Sequence, residues 1–399
     1  MPGARVLIYS HDTFGLGHLR RARAIAHALV ERYSRLSVLI LSGSPLIGSF
    51  DFKARVDFVR VPGVIKLRNG AYTSLGLHIE LDQTMALRSS IIEHTAEIFA
   101  PDVFIVDKEP WGLRGELKST LPMLKDRGTR LVLGLRDVLD ETESLAEEWT
   151  RKGAFDALPL YDDIWAYGMA GGANPLEGLP VPDGTLEKSH FTGFLPRPLP
   201  QYTMPEVWPA ITNDEFLLVT PGGGGDGGGL IDWVLSAYEA SGKDLKPALI
   251  VYGPFLPPDA RDGFEARAAK IPNVETLVFD ARIEHFMAKS AGVVAMGGYN
   301  TFCEILTHDK PSLIIPRMAP RKEQLIRAQR AETMGLCHVL IDPMEAGGAP
   351  RYADMMADAL KLLPHMPRPS AALPPGSLAG FDVIADRIEP HLPRARRRS

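Results

Sequence analysis

The sequence has few cysteines, no long apolar run and no excess of positive charge. Its two cysteines among 399 residues, Cys303 and Cys337, exclude a disulfide framework and lack the spacing of a zinc site. A reducing cytoplasm is therefore the expected compartment. No stretch of 18 apolar residues occurs, and the apolar run at 6–9 is too short for a secretory signal. We expect neither a membrane-spanning helix nor a leader.

The charge of the chain argues against nucleic acid as a partner. A net charge of −5 provides no general basic field. The dense basic cluster at 394–398 is typical of a solvated chain end, with contact to anionic lipid as the alternative.

The length and the hydrophobic pattern predict two α/β domains. A chain of 399 residues is too long for one ordinary domain. Apolar strand patterns alternate with helical patterns in both halves, which is typical of parallel sheets covered on both faces. The predicted strands are 5–10, 36–42, 57–61, 103–106 and 131–135 in the first half, and 216–220, 248–252, 274–278, 293–296, 313–315 and 338–341 in the second.

We expect a first domain at 1–195, a proline-rich linker at 196–212 and a second domain at 213–370. The remainder, 371–399, is predicted to hold a terminal helix and a basic tail that return toward the first domain. Ligands of open parallel sheets bind outside the carboxyl ends of the strands. Two such sheets facing each other would place an active site in the cleft between them.

The segment 291–320 holds the most informative pattern. An apolar run stops at Gly297 and Gly298, and a helical stretch that carries Glu304 follows. Such a turn directs backbone N–H groups and the positive end of a helix at its ligand, which suits a diphosphate. Glu304, one helical turn further on, is then placed to accept hydrogen bonds from sugar hydroxyls. In the alternative interpretation, Thr301 and Glu304 only form a capping box.

A second glycine-rich segment follows the first strand of the second half. Gly222, Gly223 and Gly224 begin it, and it continues to Gly229. Backbone of this kind can approach a phosphate or a sugar closely. The segment matches neither the dinucleotide-binding spacing nor a P-loop. A flexible lid is the alternative.

The first strand of the chain is followed by candidate catalytic residues. Gly17 permits a tight bend, and His18 lies at the start of the next helix, where an imidazole can act as a general base. Arg21 lies in the first helical turns, where the helix dipole disfavours cations and a bound anion would compensate. The alternatives are that His18 caps the helix and that the arginines are merely exposed.

Asp107 ends another predicted strand of the same half. It is a candidate carboxylate partner for His18, and capping of a helix is an equal alternative. His11 and Asp12 are further acid–base candidates. In the second half, Glu323 and Gln324 follow the last core strand. A carboxylate beside a carboxamide can bind vicinal hydroxyls, although polar residues are also common in a first helical turn.

Taken together, these motifs resemble GT-B glycosyltransferases, and among them the MurG-like branch with the family 28 type of C-terminal domain. The resemblance is carried by Gly17-His18, by Gly222 to Gly225, by Gly297-Gly298-Tyr299-Asn300-Thr301 with Glu304, and by Pro316-Arg317 with Glu323-Gln324. It implies two Rossmann-like, doubly wound domains facing across a cleft. The first loop departs from the branch, because 12–16 is less rich in glycine.

The resemblance also implies a nucleotide-sugar donor, normally UDP-linked, held by the second domain. Gly298, Asn300 and Thr301 would hold the diphosphate and Glu304 the ribose. Glu323 and Gln324 would contact the donor sugar, and backbone groups of Arg282 and Ile283 would meet the base. Gly17, His18 and Arg21 would face the acceptor and the phosphates.

The expected function is therefore an inverting, metal-independent hexosyltransferase with no cofactor. It would act on a hydroxyl acceptor, for which lipid-linked and polysaccharide precursors of the cell envelope are candidates. Gly15-x-Gly17-His18-x-x-Arg21 also resembles the UDP-sugar hydrolase of pseudaminic acid synthesis. The same motifs would suit a nucleotide-sugar epimerase of this architecture, or a protein that binds a nucleotide sugar without turning it over.

Peripheral attachment to the inner face of a membrane is a further hypothesis. It rests on the apolar group Leu46, Ile47, Phe50 and Phe52 in an apparent loop of the first domain. Burial of that group beneath the helices is the favoured alternative.

Overall fold

The computed structural model describes residues 3–11, 16–66, 72–199, 204 and 207–393. Asp12, Gly15 and the basic cluster at 394–398 lie outside the described residues. Contacts divide the chain into unit 1, Met1–Leu195 with Gly376–Ser399, and unit 2, Pro196–Pro375. The segment predicted as a separate linker thus begins unit 2, and the chain rejoins unit 1 at Gly376.

Unit 1 is built on a parallel sheet. Its elements in chain order are β1 (Ala4–Ser10), α1 (Gly17–Arg32), β2 (Leu36–Ser42), β3 (Val56–Arg60), β4 (Val64–Lys66), β5 (Tyr72–Ser74), α2 (Leu81–Phe99), β6 (Val103–Asp107), α3 (Thr120–Asp126), β7 (Arg130–Arg136), α4 (Thr142–Lys152), β8 (Asp163–Tyr167) and β9 (Ser189–Phe191). The strand order is β3-β2-β1-β6-β7-β8-β9, and β4 and β5 form a separate antiparallel pair.

Unit 2 repeats the same plan. Its elements are β10 (Leu217–Thr220), α5 (Gly228–Ser241), β11 (Ala248–Val251), α6 (Pro258–Ala268), β12 (Val274–Leu277), α7 (Ile283–Lys289), β13 (Gly292–Ala295), α8 (Tyr299–Thr307), β14 (Ser312–Ile314), α9 (Glu323–Thr333), β15 (His338–Val339), α10 (Pro343–Gly347) and α11 (Ala353–Leu362). The order is β12-β11-β10-β13-β14-β15, and every neighbouring pair is parallel.

The central strands are buried on both faces. Every residue of β6, β10, β11 and β13 is buried. Parallel strands are covered by helices on both sides, so they appear in the sequence as continuous apolar runs. The helices contribute apolar residues at helical spacing, as α1 does. Its buried apolar side chains are Leu19, Ala22, Ile25, Ala26, Leu29 and Val30. These observations confirm the predicted class of two doubly wound parallel-sheet domains.

The last helix, α12 (Gly380–Ile388), packs on unit 1. The Tyr33 hydroxyl at the end of α1 donates to the Ala385 carbonyl over 2.9 Å. Arg32 forms ion pairs with Asp382 and Asp386 at 3.1 and 2.9 Å. The backbone N–H of Phe194 donates to the Ser377 carbonyl over 2.7 Å, so the chain leaves and re-enters unit 1 at adjoining points.

The apolar group proposed for membrane contact is partly buried in unit 1, where Leu46 is half-buried. Ile47 and Phe50 are buried. Phe52 is half-buried, and its ring lies 5.1 Å from the ring of Phe58. None of the helices in the described part of the chain has both the length and the apolar character needed to cross a bilayer.

A buried ion pair joins α2 to the carboxyl side of the sheet in unit 1. Arg88 on α2 donates from Nε and Nη2 to the two carboxylate oxygens of Glu116, each over 2.6 Å. The hydroxyl of Tyr9 on β1 donates to the same carboxylate over 2.5 Å and accepts from the backbone N–H of Leu113 over 2.8 Å. Arg88 and Glu116 are both buried, so each charge depends on the other for compensation.

We expect Arg88→Met to lower the free energy of unfolding by about 3–5 kcal/mol, because it leaves the Glu116 charge buried and unpaired. The matched control is Arg127→Met, which removes an exposed ion pair with Glu97 of 2.6 Å and should cost about 0–1 kcal/mol. Urea denaturation of the two variants measures the difference. Equal shifts of the unfolding midpoint would contradict the prediction.

Candidate active site

The order of the strands opens one polar edge in each unit. In unit 1 the chain runs from β1 outward through β2 to β3 and then returns to place β6 on the other side of β1. In unit 2, β13 lies beside β10 in the same way. The loops that follow the two central strands diverge at such a reversal, which is where ligands of parallel sheets bind. His18 and Asp107 in unit 1, and the two glycine segments in unit 2, lie at these reversals.

His18, Asp107 and Arg21 meet at the reversal in unit 1. The His18 Nδ1 atom, on the first turn of α1, pairs with Oδ2 of Asp107, the last residue of β6. Arg21 donates to the same carboxylate from Nε over 2.8 Å and from Nη2 over 2.7 Å. Arg21 is 2% exposed, whereas the side chain of His18 retains 18% exposure. The carboxylate therefore holds both basic groups, and only the imidazole reaches the surface.

The protonation of this group follows from its surroundings. Burial alone would raise the pKa of Asp107, but the charges and hydrogen bonds of Arg21 and His18 outweigh it and hold the pKa well below the ordinary value. An ionised carboxylate only accepts hydrogen bonds, so Nδ1 of His18 carries the proton. Burial lowers the pKa of His18, and Asp107 offsets part of that effect. His18 is thus neutral at neutral pH, with the Nε2 lone pair available to accept a proton.

A second polar group lies behind this one. The ring of His11 lies 5.5 Å from the ring of His18 in an edge-on arrangement. Burial lowers the pKa of His11 well below its usual range, so it is neutral too. Lys108 has the left-handed φ of 69°, and the carboxylate of the next residue, Glu109, pairs with Lys152 at 3.0 Å. Backbone held in that region commonly marks functional sites.

The structure distinguishes between the roles left open for these residues. The side chain of His18 contacts Asp107 rather than the start of α1, and the carboxylate of Asp107 binds His18 and Arg21 rather than a helix end. Gly17 is the first residue of α1 and is exposed. Arg21 was expected to face a phosphate. In the structure its guanidinium instead binds the carboxylate of Asp107.

The glycine turn of unit 2 lies at the second reversal. Gly297 has φ 79°, and a Cβ there would lie 2.8 Å from Ile314 Cγ2, so the turn requires glycine. Gly298 precedes the first residue of α8, and a Cβ built on it would meet open space among the described atoms. The helix begins before Thr301, so Thr301 is its third residue rather than its cap. The first N–H groups of α8 therefore lie at the edge of the sheet.

Two neighbours support the first turn of α8. The Asn300 side-chain oxygen accepts a hydrogen bond of 2.9 Å from Nη2 of the buried Arg197. Thr301 Oγ1 lies 3.7 Å from the position that a Cβ would take on Gly222. Gly222 has φ 100°, and the glycine-rich loop with Gly223 and Gly224 thus runs beside the start of α8. The structure brings the two predicted glycine segments together.

Glu304 lies deeper than the sequence suggests. The residue is 1% exposed and lies in the second half of α8, one helical turn below the glycine turn. The sequence predicts a carboxylate that takes sugar hydroxyls, and this role stays a prediction that requires the ligand to reach Glu304 behind the first turn of α8.

Glu323 and Gln324 begin α9, beside the glycine turn, because β14 is the neighbour of β13. Arg317 donates to Glu323 Oε1 from Nη2 over 2.6 Å, and its backbone N–H donates to Gln324 Oε1 over 3.1 Å. Arg282 and Ile283 lie at the start of α7, which follows the edge strand β12. The glycine turn therefore lies between these two predicted pairs along the edge of the sheet.

Three arginines hold this edge, and sequence reasoning had assigned none of them a role. Arg327 on α9 donates to the Gly297 carbonyl over 3.2 Å, and Arg197 and Arg317 make the contacts given above. Arg317 entered the sequence analysis only as part of the proline–arginine pair after β14 that carries the family resemblance, with no role of its own. Arg197 had no such signal, because it is 103 residues away from Asn300.

The described residues include no group of three or more His, Cys, Asp or Glu side chains arranged to hold a metal ion. Both cysteines are buried in unit 2, and burial raises the pKa of Cys337 to about 12, which suits a packing role rather than a reactive one.

Comparisons with known proteins identify the fold. No family model matches the sequence, and no curated protein of similar sequence was found. Solved structures do match. The glycosyltransferase of kitacinnamycin is 14% identical with a TM-score of 0.62, and the match covers 98% of this chain and 100% of that one. MurG of Acinetobacter baumannii is 12% identical with a TM-score of 0.55, with 96% and 99% covered.

A third similar structure is UGT2 of Phytolacca americana, complexed with UDP-2-fluoroglucose and pterostilbene. It is 14% identical with a TM-score of 0.61, and the match covers 97% of this chain and 94% of that one. At these identities the comparisons show the fold alone. The chain has the GT-B fold over nearly its whole length, as predicted.

We expect the His18 imidazole to titrate below its ordinary pKa of 6.5, because burial disfavours the charged ring. Asp107→Asn should lower that pKa further, since it removes the carboxylate that favours the charged form. Two-dimensional NMR of the ring nitrogens, recorded during an acid titration, measures both effects and reports which nitrogen carries the proton. A pKa that rises in the Asn variant would contradict this account of the pair.

Proposed function

We propose that this chain is an inverting glycosyltransferase that moves a hexosyl group from a nucleotide-sugar donor, with UDP as its nucleotide, to a hydroxyl acceptor. The proposal rests on polar groups at the carboxyl-end edge of the parallel sheet in each unit, in a chain of GT-B fold. One edge presents a neutral imidazole backed by a carboxylate, and the other presents the N–H groups of a glycine turn at a helix start.

The donor is proposed to bind unit 2. The diphosphate would lie against the backbone N–H groups that follow Gly298, with Asn300 and Thr301 beside it. A helix of nine residues begins there, and its dipole favours an anion at that end. Arg282 and Ile283 would meet the base on one side, and Glu323 and Gln324 would meet the sugar on the other. UDP is the nucleotide proposed because one solved neighbour is complexed with UDP-2-fluoroglucose.

The chemical step is proposed to use His18 as general base. Nε2 of His18 accepts the proton of the acceptor hydroxyl while the oxygen forms a bond to the anomeric carbon. The bond from that carbon to the diphosphate oxygen breaks on the opposite face, and the nucleoside diphosphate leaves with the electron pair, so the configuration inverts. Asp107 keeps the proton on Nδ1 and stabilises the imidazolium that forms, and Arg21 keeps Asp107 ionised.

The leaving group is proposed to be stabilised without a metal ion. Backbone N–H groups directed at developing negative charge can contribute about 10²–10³-fold in rate for each donor. Glu304, which is 1% exposed behind the first turn of α8, is proposed to take the ribose hydroxyls. Activity that survives EDTA would support this part, and activity that returns only with a divalent ion would contradict it.

The acceptor is proposed to carry an apolar portion as well as its hydroxyl. Leu75, Leu77 and Ile79 are exposed on the segment that leads into α2, after the carboxyl end of β3. They therefore lie on the side of unit 1 where His18 is found. A lipid-linked sugar would meet this requirement, and its use at a membrane surface is part of the proposal.

A thermal-shift screen of nucleotide sugars tests the donor assignment. We expect UDP and at least one UDP-sugar to raise the melting temperature, by an amount that grows with ligand concentration. Hydrophobic and hydrophilic alcohols are then offered as acceptors, with UDP release as the readout. No stabilisation by any nucleotide would contradict the proposed function, and steady sugar release with no acceptor present would indicate a hydrolase instead.

Two variants should separate the roles of the two units. His18→Ala should lower turnover by roughly 100-fold or more while donor affinity is kept, because the general base is lost. Glu304→Gln should mainly weaken donor binding, by about 1–3 kcal/mol, because a charged hydrogen bond is lost. The control is His94→Ala, since the His94 side chain on α2 is 72% exposed. The opposite pattern of losses would overturn the assignment of donor and acceptor to the two units.

A further inference from the structure

Arg317 connects three parts of the edge in unit 2. Its Nη1 donates to Oδ2 of Asp226 in the glycine-rich loop over 2.5 Å, and its Nη2 donates to Oε1 of Glu323 on α9 over 2.6 Å. Its backbone N–H holds Gln324 Oε1 at 3.1 Å. One side chain that follows β14 thus connects the loop after β10 with the helix after β14.

The contact with Asp226 ties Arg317 to the glycine-rich loop after β10. A Cβ on Gly224 would lie 2.5 Å from Asp226 Oδ1, so the carboxylate folds back over Gly224. Gly227 packs equally closely on Pro221, because a Cβ there would lie 2.2 Å from the proline ring. The guanidinium of Arg317 therefore bridges two carboxylates, that of Asp226 in the loop and that of Glu323 on α9.

The contact with α9 leaves two polar groups for a ligand. Oε2 of Glu323 is buried and has no hydrogen-bond partner within the described residues, while Oε1 is held by Arg317. Since the Gln324 oxygen is occupied by the Arg317 backbone, its amide N–H₂ group is left to donate. A buried acceptor without a partner is costly unless a ligand satisfies it.

We propose that Arg317 is a positioning residue that fixes Glu323 and Gln324 for the hydroxyl groups of the donor sugar and, through Asp226, holds the glycine-rich loop over that sugar. The inference rests on the proposed function and deepens it. Recognition of the sugar depends on the orientation of the Glu323 and Gln324 side chains, and Arg317 maintains that orientation. The nucleotide part of the donor does not depend on Arg317.

Isothermal titration calorimetry with UDP and with the UDP-sugar identified in the screen tests this separation. We expect Arg317→Gln to weaken UDP-sugar binding about tenfold or more, as the loss of charged hydrogen bonds predicts, while UDP binding changes less than about twofold. Kinetically, the KM for the donor should rise much more than kcat falls. Arg317→Lys should restore only part of the loss, because a single ammonium group cannot bridge both carboxylates.

The matched control is Arg330→Gln, which makes the same chemical change at an exposed position of α9. It should leave both affinities unchanged. If Arg317→Gln does not fold, Asp226→Ala decides the question, because it removes the contact with Arg317 from an exposed loop residue. A selective loss of UDP-sugar affinity in Asp226→Ala supports the proposal, and its absence overturns it.

The outcomes separate this inference from the proposed function. Wild-type protein that binds no nucleotide sugar would end the proposed function. Wild-type protein that binds and transfers sugar, with an Arg317→Gln variant that weakens UDP and UDP-sugar equally or weakens neither, would overturn only the role of Arg317.

Discussion

The reversal of strand order in each parallel sheet is the constraint on which the rest depends. The chain builds outward from β1 and from β10 and then returns to place β6 and β13 on their other sides. The connections that follow the two central strands must therefore diverge, and the backbone groups and side chains between them are not covered by a neighbouring connection. Because the paired strands are parallel, their carboxyl ends meet at the same edge of each sheet.

The two edges deal with charge in opposite ways. In unit 1 a buried carboxylate gathers an arginine and a histidine, so one fixed anion sets the orientation and the protonation of the imidazole. In unit 2 the arginines face inward, toward the Gly297 carbonyl, the Asn300 oxygen and the Glu323 carboxylate. They brace the turns, and the edge also holds the first N–H groups of α8 and the polar side chains at the start of α9. A preorganised dipole of this kind needs little rearrangement when charge develops beside it.

The sequence was sufficient for the fold class because buried parallel strands are short, uninterrupted runs of Val, Ile and Leu. It was weaker where the signal is short or polar. Helix α3 spans seven residues and contains Pro122, α4 buries little besides Leu145 and Trp149, and neither was predicted. The β4–β5 pair has three residues in each strand and was also not predicted.

For the candidate site too, the sequence predicted some features and not others. Residues that follow a strand could be placed at the edge from topology alone, and His18 and Asp107 do meet there. Contacts that depend on packing could not be placed. An arginine in a first helical turn is usually exposed, yet Arg21 is buried on Asp107. Glu304 lies in the interior behind α8 rather than at its surface, and nothing in the spacing of the residues distinguishes the two.

The route of the chain makes unit 2 an insertion within unit 1. Phe194 and Ser377, which flank the inserted stretch, are hydrogen-bonded to each other, so the first unit closes around the point where the second begins and ends. During synthesis the contacts between α1 and α12 can form only after all of unit 2 has been made, because α12 lies near the far end of the chain. Because both ends of the insert start from one spot, a short turn could join them and leave unit 1 as a continuous chain.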